Sequence, residues 1–359
     1  MKKVLLLIDS LGAGGAQRQL VGLAVLLKKR GYDVKVCIYY DFDFYKSVLD
    51  DNGVLNELIP NARHRLTRIS SIRTYIKQEH PDCVISYQET PSLIASLIRA
   101  SGLKYNLIVS ERNTTQKIGL NERLRFWLYR WANSIVPNSY AQERFLLSRY
   151  SWMGSRVKTI TNFVDLKKFI PEDEHKRHSV PEILVVGSVS HSKNTKGFIK
   201  AIKALKEKGV SFHATWYGWT DSPNDYMNEA QLLVNELELN DVFEFRNKTL
   251  NIAPVYKKTD YFCIPSFYEG TPNVLCEAIS CGCPVAASNV CDNARYAQED
   301  VNGFLFDPND IDSIVKGLEQ LLALKEQEYI AFRRNSRKIA EDLLSQETFL
   351  QQYMSLIEA

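Results

Sequence analysis

Val4-Leu5-Leu6-Leu7-Ile8-Asp9 runs through Ser10-Leu11 into Gly12-Ala13-Gly14-Gly15-Ala16-Gln17. An unbroken apolar run of this length reads as a strand buried on both faces. The glycines mark a tight loop, and residues 16–30 then carry the apolar spacing of an amphipathic helix that Gly31 stops. Residues 33–40 are predicted to form a second strand, and further strands are predicted at 83–87, 107–110, 134–137 and 157–161. Helices are predicted between them at 91–100, 122–131 and 141–150. Apolar strands alternating with helices mean a parallel sheet covered on both sides.

Residues 166–181 interrupt the alternation. They hold Lys167, Lys168, Pro171, a run of alternating charge over 172–177, and Pro181. Charge without apolar periodicity between prolines reads as a linker, and its His175 and His178 as a solvated pair. The pattern then restarts. Strands are predicted at 183–189, 212–217, 243–245, 261–264, 285–287 and 304–306, with helices at 196–208, 228–237, 274–280 and 311–324. The expected fold is α/β: two tandem Rossmann-like doubly wound domains, facing across a ligand cleft at their strand C-terminal edges. The expected division is 1–165, 166–344 and a terminal helix, 345–359, crossing back onto the first domain.

The chain has 359 residues, too many for one ordinary core, and its 45% apolar content fits a globular protein. Five apolar residues after Met1-Lys2-Lys3 are too few for a secretory signal, and no stretch approaches a membrane span. A cytoplasmic location is therefore expected. Seven cysteines there would be reduced, and Cys276, Cys281, Cys283 and Cys291 lack any Cys-x-x-Cys pair, so they read as small core residues rather than zinc ligands. The net charge of +3 conceals an asymmetry. Residues 1–165 hold 24 Lys and Arg against 14 Asp and Glu, a net of +10, and the remainder carries −7. A basic first half suits an anionic partner, such as a lipid headgroup surface or a phosphorylated substrate, although two oppositely charged domains could also attract each other. Nucleic acid would be drawn to the same charge, but no recognition motif accompanies it.

Several motifs could carry chemistry. The Gly12–Gly15 loop opens a helix whose N-terminus favours a phosphate or sugar. A dinucleotide fingerprint would need a glycine where Gln17 stands. Asp41 and Asp43 could share a divalent cation but read more simply as solvated loop. In the second half, a strand ends at Gly187-Ser188, and Lys193 and Lys196 flank the following helix start, where ammonium groups suit a diphosphate or simply face solvent. Glu269-Gly270-Thr271-Pro272-Asn273-Val274 then leads to Glu277-Ala278. Glu269 falls after a strand and Glu277 one turn into the next helix, and carboxylates accept paired hydrogen bonds from sugar diols.

The stretch from Glu269 to Ala278 resembles the Glu-x7-Glu motif of retaining glycosyltransferases of family 4, which have the GT-B fold. Cys281-Gly282-Cys283-Pro284-Val285, Asn302-Gly303-Phe304-Leu305, Gly14-Gly15-Ala16-Gln17 and Thr161-Asn162-Phe163-Val164-Asp165 resemble further family segments. The resemblance covers nearly the whole chain. It implies that Glu277 holds the ribose of a nucleotide diphosphate sugar. Glu269 would hold hydroxyls of the donor sugar, with the backbone of Gly270, Thr271, Pro272, Asn273 and Val274 beside it. Lys193 would neutralise the departing diphosphate. Gly15 and Ser188 fall on the donor side, and Gly14, Gly15 and Arg112 on the acceptor side, with Arg112 joining Lys193 and Glu269 at the reaction centre. The chain departs from the family in three places: Ser188 replaces an arginine, Arg112 a histidine and Arg295 a glutamate. Lys196 is expected to supply the charge missing at Ser188.

The expected activity is retaining transfer from a nucleotide diphosphate sugar, UDP-linked by preference, without cofactor or metal. The acceptor is expected to be a glycan or polyprenyl-diphosphate-linked saccharide in surface polysaccharide assembly. A sugar-nucleotide epimerase of the same fold and a two-lobed sugar-binding protein are the alternatives. The basic half adds a peripheral association with the inner membrane leaflet. On residues 123–131, Leu124, Trp127, Leu128 and Trp131 share a stripe expected in the core, leaving Arg123, Arg125, Phe126 and Arg130 for the headgroups.

Overall fold

The structure is a computed structural model that describes residues 1–359 except 116, 173, 174 and 250. It divides into two compact units, residues 1–162 with 347–359, and residues 163–346.

The first unit holds a six-stranded parallel sheet ordered β3-β2-β1-β4-β5-β6. Its strands are β1 (Lys3–Leu7), β2 (Asp33–Ile38), β3 (Leu55–Leu58), β4 (Cys83–Tyr87), β5 (Asn106–Glu111) and β6 (Ser134–Pro137). Its helices are α1 (Gly15–Lys29), α2 (Lys46–Asp51), α3 (Arg65–Glu79), α4 (Glu89–Ala100), α5 (Leu120–Leu128) and α6 (Tyr140–Arg149). Strand order reverses between β3 and β4, so right-handed crossovers set α3, α4 and α5 on the sheet face opposite α1 and α2. Val84, Leu107, Val109 and Ile135 pack with Phe126 and Tyr129 in this core. Residues 157–161, read as a strand, contribute only an isolated bridge between Val157 and Ile135. The edge strand β3 and helices α2 and α3 lack the apolar pattern that reveals the others.

The second unit repeats the plan with a sheet ordered β12-β11-β10-β7-β8-β9, again wholly parallel. The strands are β7 (Glu182–Val186), β8 (His213–Trp219), β9 (Phe243–Asn247), β10 (Tyr261–Ile264), β11 (Val285–Ser288) and β12 (Gly303–Phe306). The helices are α7 (Thr195–Glu207), α8 (Asp225–Glu236), α9 (Ala253–Lys258), α10 (Asn273–Ser280), α11 (Asn293–Tyr296), α12 (Ile311–Leu322) and α13 (Glu326–Leu343). The Asn302-Gly303 motif has a packing cause here. A Cβ on Gly303 would stand 2.1 Å from the Val285 carbonyl oxygen, so any side chain would push β12 off β11. Asn302 donates from Nδ2 to the Tyr296 carbonyl and to Ser336 Oγ, tying that turn to α13.

Two expectations about residues 166–181 need correction. The segment is a docked part of the second unit, not a free linker, and its histidines are not a solvated pair. The His175 side chain is buried, with Nε2 3.1 Å from Asp260 Oδ1. His178 meets Oδ2 of the same carboxylate through Nδ1, at 3.0 Å. Asp260 is fully buried and also accepts the Glu182 backbone N–H, and a buried carboxylate is tolerated only with such partners. Residues 173 and 174 of the charge run lie outside the described residues.

The terminal helix α14 (Gln346–Glu358) packs, from Glu347 onward, within the first unit. Tyr353 stacks on Tyr87 and shares a hydroxyl hydrogen bond of 2.9 Å with it, and Lys2 donates to the Ile357 carbonyl. Among the described residues no helix is long and apolar enough to cross a membrane.

Candidate active site

In the second unit, β7 ends at Val186, and the chain turns through Gly187 and Ser188 into a short 3-10 turn, His191–Lys193. Gly187 is held from two sides: its N–H donates to the Tyr217 carbonyl, and its carbonyl accepts from Trp216 Nε1. The Lys193 stem lies across Gly187, in the space a Cβ there would touch. Its ammonium reaches Glu269 Oε1 at 2.5 Å, and Ser266 Oγ donates to the same oxygen at 2.6 Å. Phe267 N–H donates to the Ser192 carbonyl, clamping the loop after β10 against the loop after β7. Two loops from adjacent strands thus bring a cation and a carboxylate together. The sequence names both residues, but their pairing follows only from the β10–β7 neighbourhood.

Gly270, Thr271 and Pro272 carry the chain from Glu269 to α10, with Pro272 in extended geometry at the cap. The first-turn N–H groups of that helix, at Asn273 and Val274, point out of its N-terminal end rather than along the helix. Glu277 lies on the fifth residue of α10 and is 2% exposed. A carboxylate so deep in an apolar helix is costly to hold, which marks it as more than a solubilising group. Cys276, Cys281 and Cys283 are buried and free, and burial pushes the Cys283 thiol up to about 12. These thiols pack; they do not ionise.

Three other expected residues fall differently. Ser188 is exposed and brings only a hydroxyl, 3.2 Å from that of Ser190. Lys196, expected to offset that missing charge, is committed elsewhere. It pairs with Glu229 of α8 at 2.6 Å, at the surface, and lies over the Tyr226 ring, whereas the Lys193 ammonium meets Glu269. Arg295 sits exposed on α11.

In the first unit, Gly14 caps α1 in extended geometry. The Gln17 side chain folds back so closely that a Cβ on Gly14 would stand 2.2 Å from its Oε1. Gln17 Nε2 donates to Asp9 Oδ1 at 3.1 Å, so the residue that breaks the dinucleotide fingerprint closes the loop onto the end of β1. Gly15 opens the helix. Beside it, Gln88 holds φ 75° and ψ 169°, a region that costs any side chain about 1–3 kcal/mol. Its amide, oriented to donate to Asp9 Oδ1 at 2.9 Å, accepts from Gln17 Nε2 at 3.0 Å. Asp9 and Gln88 were invisible in the sequence, because nothing in a glutamine's neighbours encodes a positive φ.

Arg112 follows β5 and is 6% exposed. Its guanidinium lies over the Tyr87 ring at 4.7 Å and donates to Ser110 Oγ and Asn162 Oδ1. Among the described residues no carboxylate pairs with it. The Asn162 of the Thr161-Asn162 motif therefore positions Arg112. Next to it, Glu111 is buried against Arg125, Tyr129 and Gln142. Burial raises the Glu111 pKa, and Arg125 opposes that rise. Asp41 and Asp43 are exposed in the loop after β2, and the described residues contain no group of three metal-ligating side chains.

Comparison with known proteins bears on the family and the fold. Residues 13–168 match the family model "Glycosyltransferase Family 4", and residues 167–339 match "Glycosyl transferases group 1". An uncharacterised glycosyltransferase of Haemophilus influenzae is 24% identical over 95% of this chain and 96% of its own length. A Campylobacter jejuni alpha-1,4-N-acetyl-D-galactosaminyltransferase, named for a diNAcBac-PP-undecaprenol-linked saccharide, is 24% identical over 90% of this chain and 89% of its own. Anabaena HepE, solved in complex with UDP and glucose, superposes with a TM-score of 0.87 at 18% identity, covering all of both chains. Two doubly wound units carrying these motifs at these strand ends have one explanation: the chain belongs to the family 4 glycosyltransferases, with the GT-B fold.

Proposed function

We propose that this glycosyltransferase moves a sugar from a nucleotide diphosphate donor, UDP-linked by preference, to a saccharide carried on a polyprenyl diphosphate, with retention at the anomeric carbon. The observation that carries the reading is the Lys193–Glu269 pair beside the start of α10. Without donor, the two charges neutralise each other. With donor, Lys193 meets the diphosphate and Glu269 accepts hydrogen bonds from the sugar hydroxyls. Glu277 takes the ribose. The bond from the anomeric carbon to the diphosphate oxygen breaks, and the nucleotide diphosphate leaves with the electron pair. The acceptor oxygen bonds to the same face of that carbon, and its proton passes to the departing phosphate.

The basis of catalysis is electrostatic: a fixed ammonium and helix N–H groups meet charge that develops on the leaving group. Lys193 takes the place of a divalent cation, so activity is expected to persist in a chelator. The UDP in the HepE complex and the undecaprenol-linked substrate in the Campylobacter enzyme's name support donor and acceptor classes. Such an acceptor sets the reaction in surface polysaccharide assembly, at the cytoplasmic face of a membrane.

The test is nucleotide release from a panel of UDP, GDP, ADP and dTDP sugars, with and without a short polyprenyl-diphosphate-linked N-acetylhexosamine. Release that depends on the acceptor, with one donor strongly preferred, is expected. Conversion of the donor sugar without acceptor would assign the chain to epimerisation instead.

A further inference from the structure

The sequence pattern places Leu124 and Trp127 of α5 in the core and Arg125 and Phe126 outside. The structure reverses this. Phe126 is fully buried and Arg125 is 3% exposed, whereas Leu120, Leu124 and Trp127 are 84%, 50% and 50% exposed. The cause is the Arg125 guanidinium. It reaches Glu111 at 3.3 Å and Glu89, at the start of α4, at 3.1 Å. Arg125 and Glu111 are both buried, and rolling the helix outward would part them and leave the Glu111 carboxylate without its cation, so this pair fixes the roll of the helix. A helix that buries an arginine and turns a tryptophan outward has its apolar stripe, at i, i+4 and i+7, left for something other than its own core.

The surroundings say what. Lys117, Arg123 and Arg130 are exposed around the stripe, and the only acid on α5 is Glu122, occupied in capping the Gly119 N–H. Trp131 stays half-buried, edge-on to Trp127 at 5.0 Å between ring centres. The same helix layer carries exposed Leu66 and Ile69 at the start of α3, beside exposed Arg63, His64 and Arg65. Tryptophan and leucine framed by arginine and lysine match the boundary between acyl chains and anionic headgroups.

We propose that the outer face of α5 is a docking surface for an anionic lipid bilayer. Leu120, Leu124 and Trp127 enter the headgroup–acyl boundary, and Lys117, Arg123 and Arg130 pair with lipid phosphates. This names the surface on which the proposed lipid-linked acceptor would be met. It is read without donor or acceptor, so it can fail while the transfer reading stands, and the reverse.

The test is flotation of the full-length chain with phosphatidylcholine vesicles, with and without phosphatidylglycerol, at low and high salt. The wild type is expected to float with the anionic vesicles and to lose binding as salt screens the headgroups. The Leu124→Ser/Trp127→Ser variant is expected to lose flotation while keeping its unfolding temperature, because both side chains are outside the core. Arg123→Gln/Arg130→Gln should bind about thirtyfold more weakly, from two basic groups at an anionic surface. Leu232→Ser, an equally exposed site on the second unit, should bind as wild type. Three outcomes would overturn the proposal: no flotation in any condition, undiminished flotation of Leu124→Ser/Trp127→Ser, or a dimer in solution that this variant dissociates, which would assign the face to a second copy of the chain.

Discussion

Lys193→Met is expected to lower kcat by about 10²–10³-fold, the cost of losing one preorganised group that meets developing charge. The ammonium is held 2.5 Å from Glu269 by a stem lying across Gly187, so it is already in place before any substrate arrives. Ser188 brings no charge, and Lys196 is turned to Glu229 at the surface, so Lys193 is the ammonium that meets Glu269. Methionine keeps the length of the stem and removes the charge. Steady-state nucleotide release gives kcat, and calorimetric titration with UDP gives affinity. Turnover is expected to fall much further than affinity, since the negative charge on the leaving group grows in the transition state. Equal losses in both would mean that Lys193 only binds.

Glu277→Ala should act in the opposite sense. Two charge-assisted hydrogen bonds to a ribose diol amount to about 3 kcal/mol, so the nucleotide Kd should rise roughly 150-fold. The carboxylate is 2% exposed on α10, between the buried Cys276 and Ala278. An unchanged unfolding temperature shows that the variant remains folded before the titration is read. Calorimetry against UDP reads the result. Unchanged nucleotide affinity would remove Glu277 from the donor site.

The reach of the sequence can be judged from particular elements. Strands at 83–87, 134–137 and 261–264 are found with the predicted bounds, because each is a short, mostly apolar run buried along its whole length. The edge strand Leu55–Leu58 escaped for the converse reason: three of its four residues are exposed, and Leu-Asn-Glu-Leu has no buried face to declare. Helix α3 was missed because its apolar residues are diluted by Ser, Thr and Arg, and one of the four residues it buries is Arg68, which donates to the Ala62 and Arg63 carbonyls. The roll of α5 was misread for a similar reason. Periodicity weighs hydrophobicity alone, and here an ion-pair network outweighs it.

The chemistry of the site was legible by residue type at strand ends, as with Glu269, Glu277 and Lys193. What the sequence hid was partnership. Lys193 against Glu269, Asn162 against Arg112, and Gln88 against Asp9 are all set by segments far apart in the chain meeting. Lys196 shows the same limit, since its commitment to Glu229 is fixed by the packing of α7 on α8.

In the proposed reaction the sugar leaves a nucleotide diphosphate held by Lys193, Glu269 and Glu277 and reaches the acceptor with its anomeric configuration kept. The direct test is the NMR spectrum of the glycosylated acceptor made with the preferred donor carrying carbon-13 at the anomeric position. An α-linked product from an α-linked donor is the predicted result. A β-linked product would contradict the account, because same-face departure and attack cannot produce it.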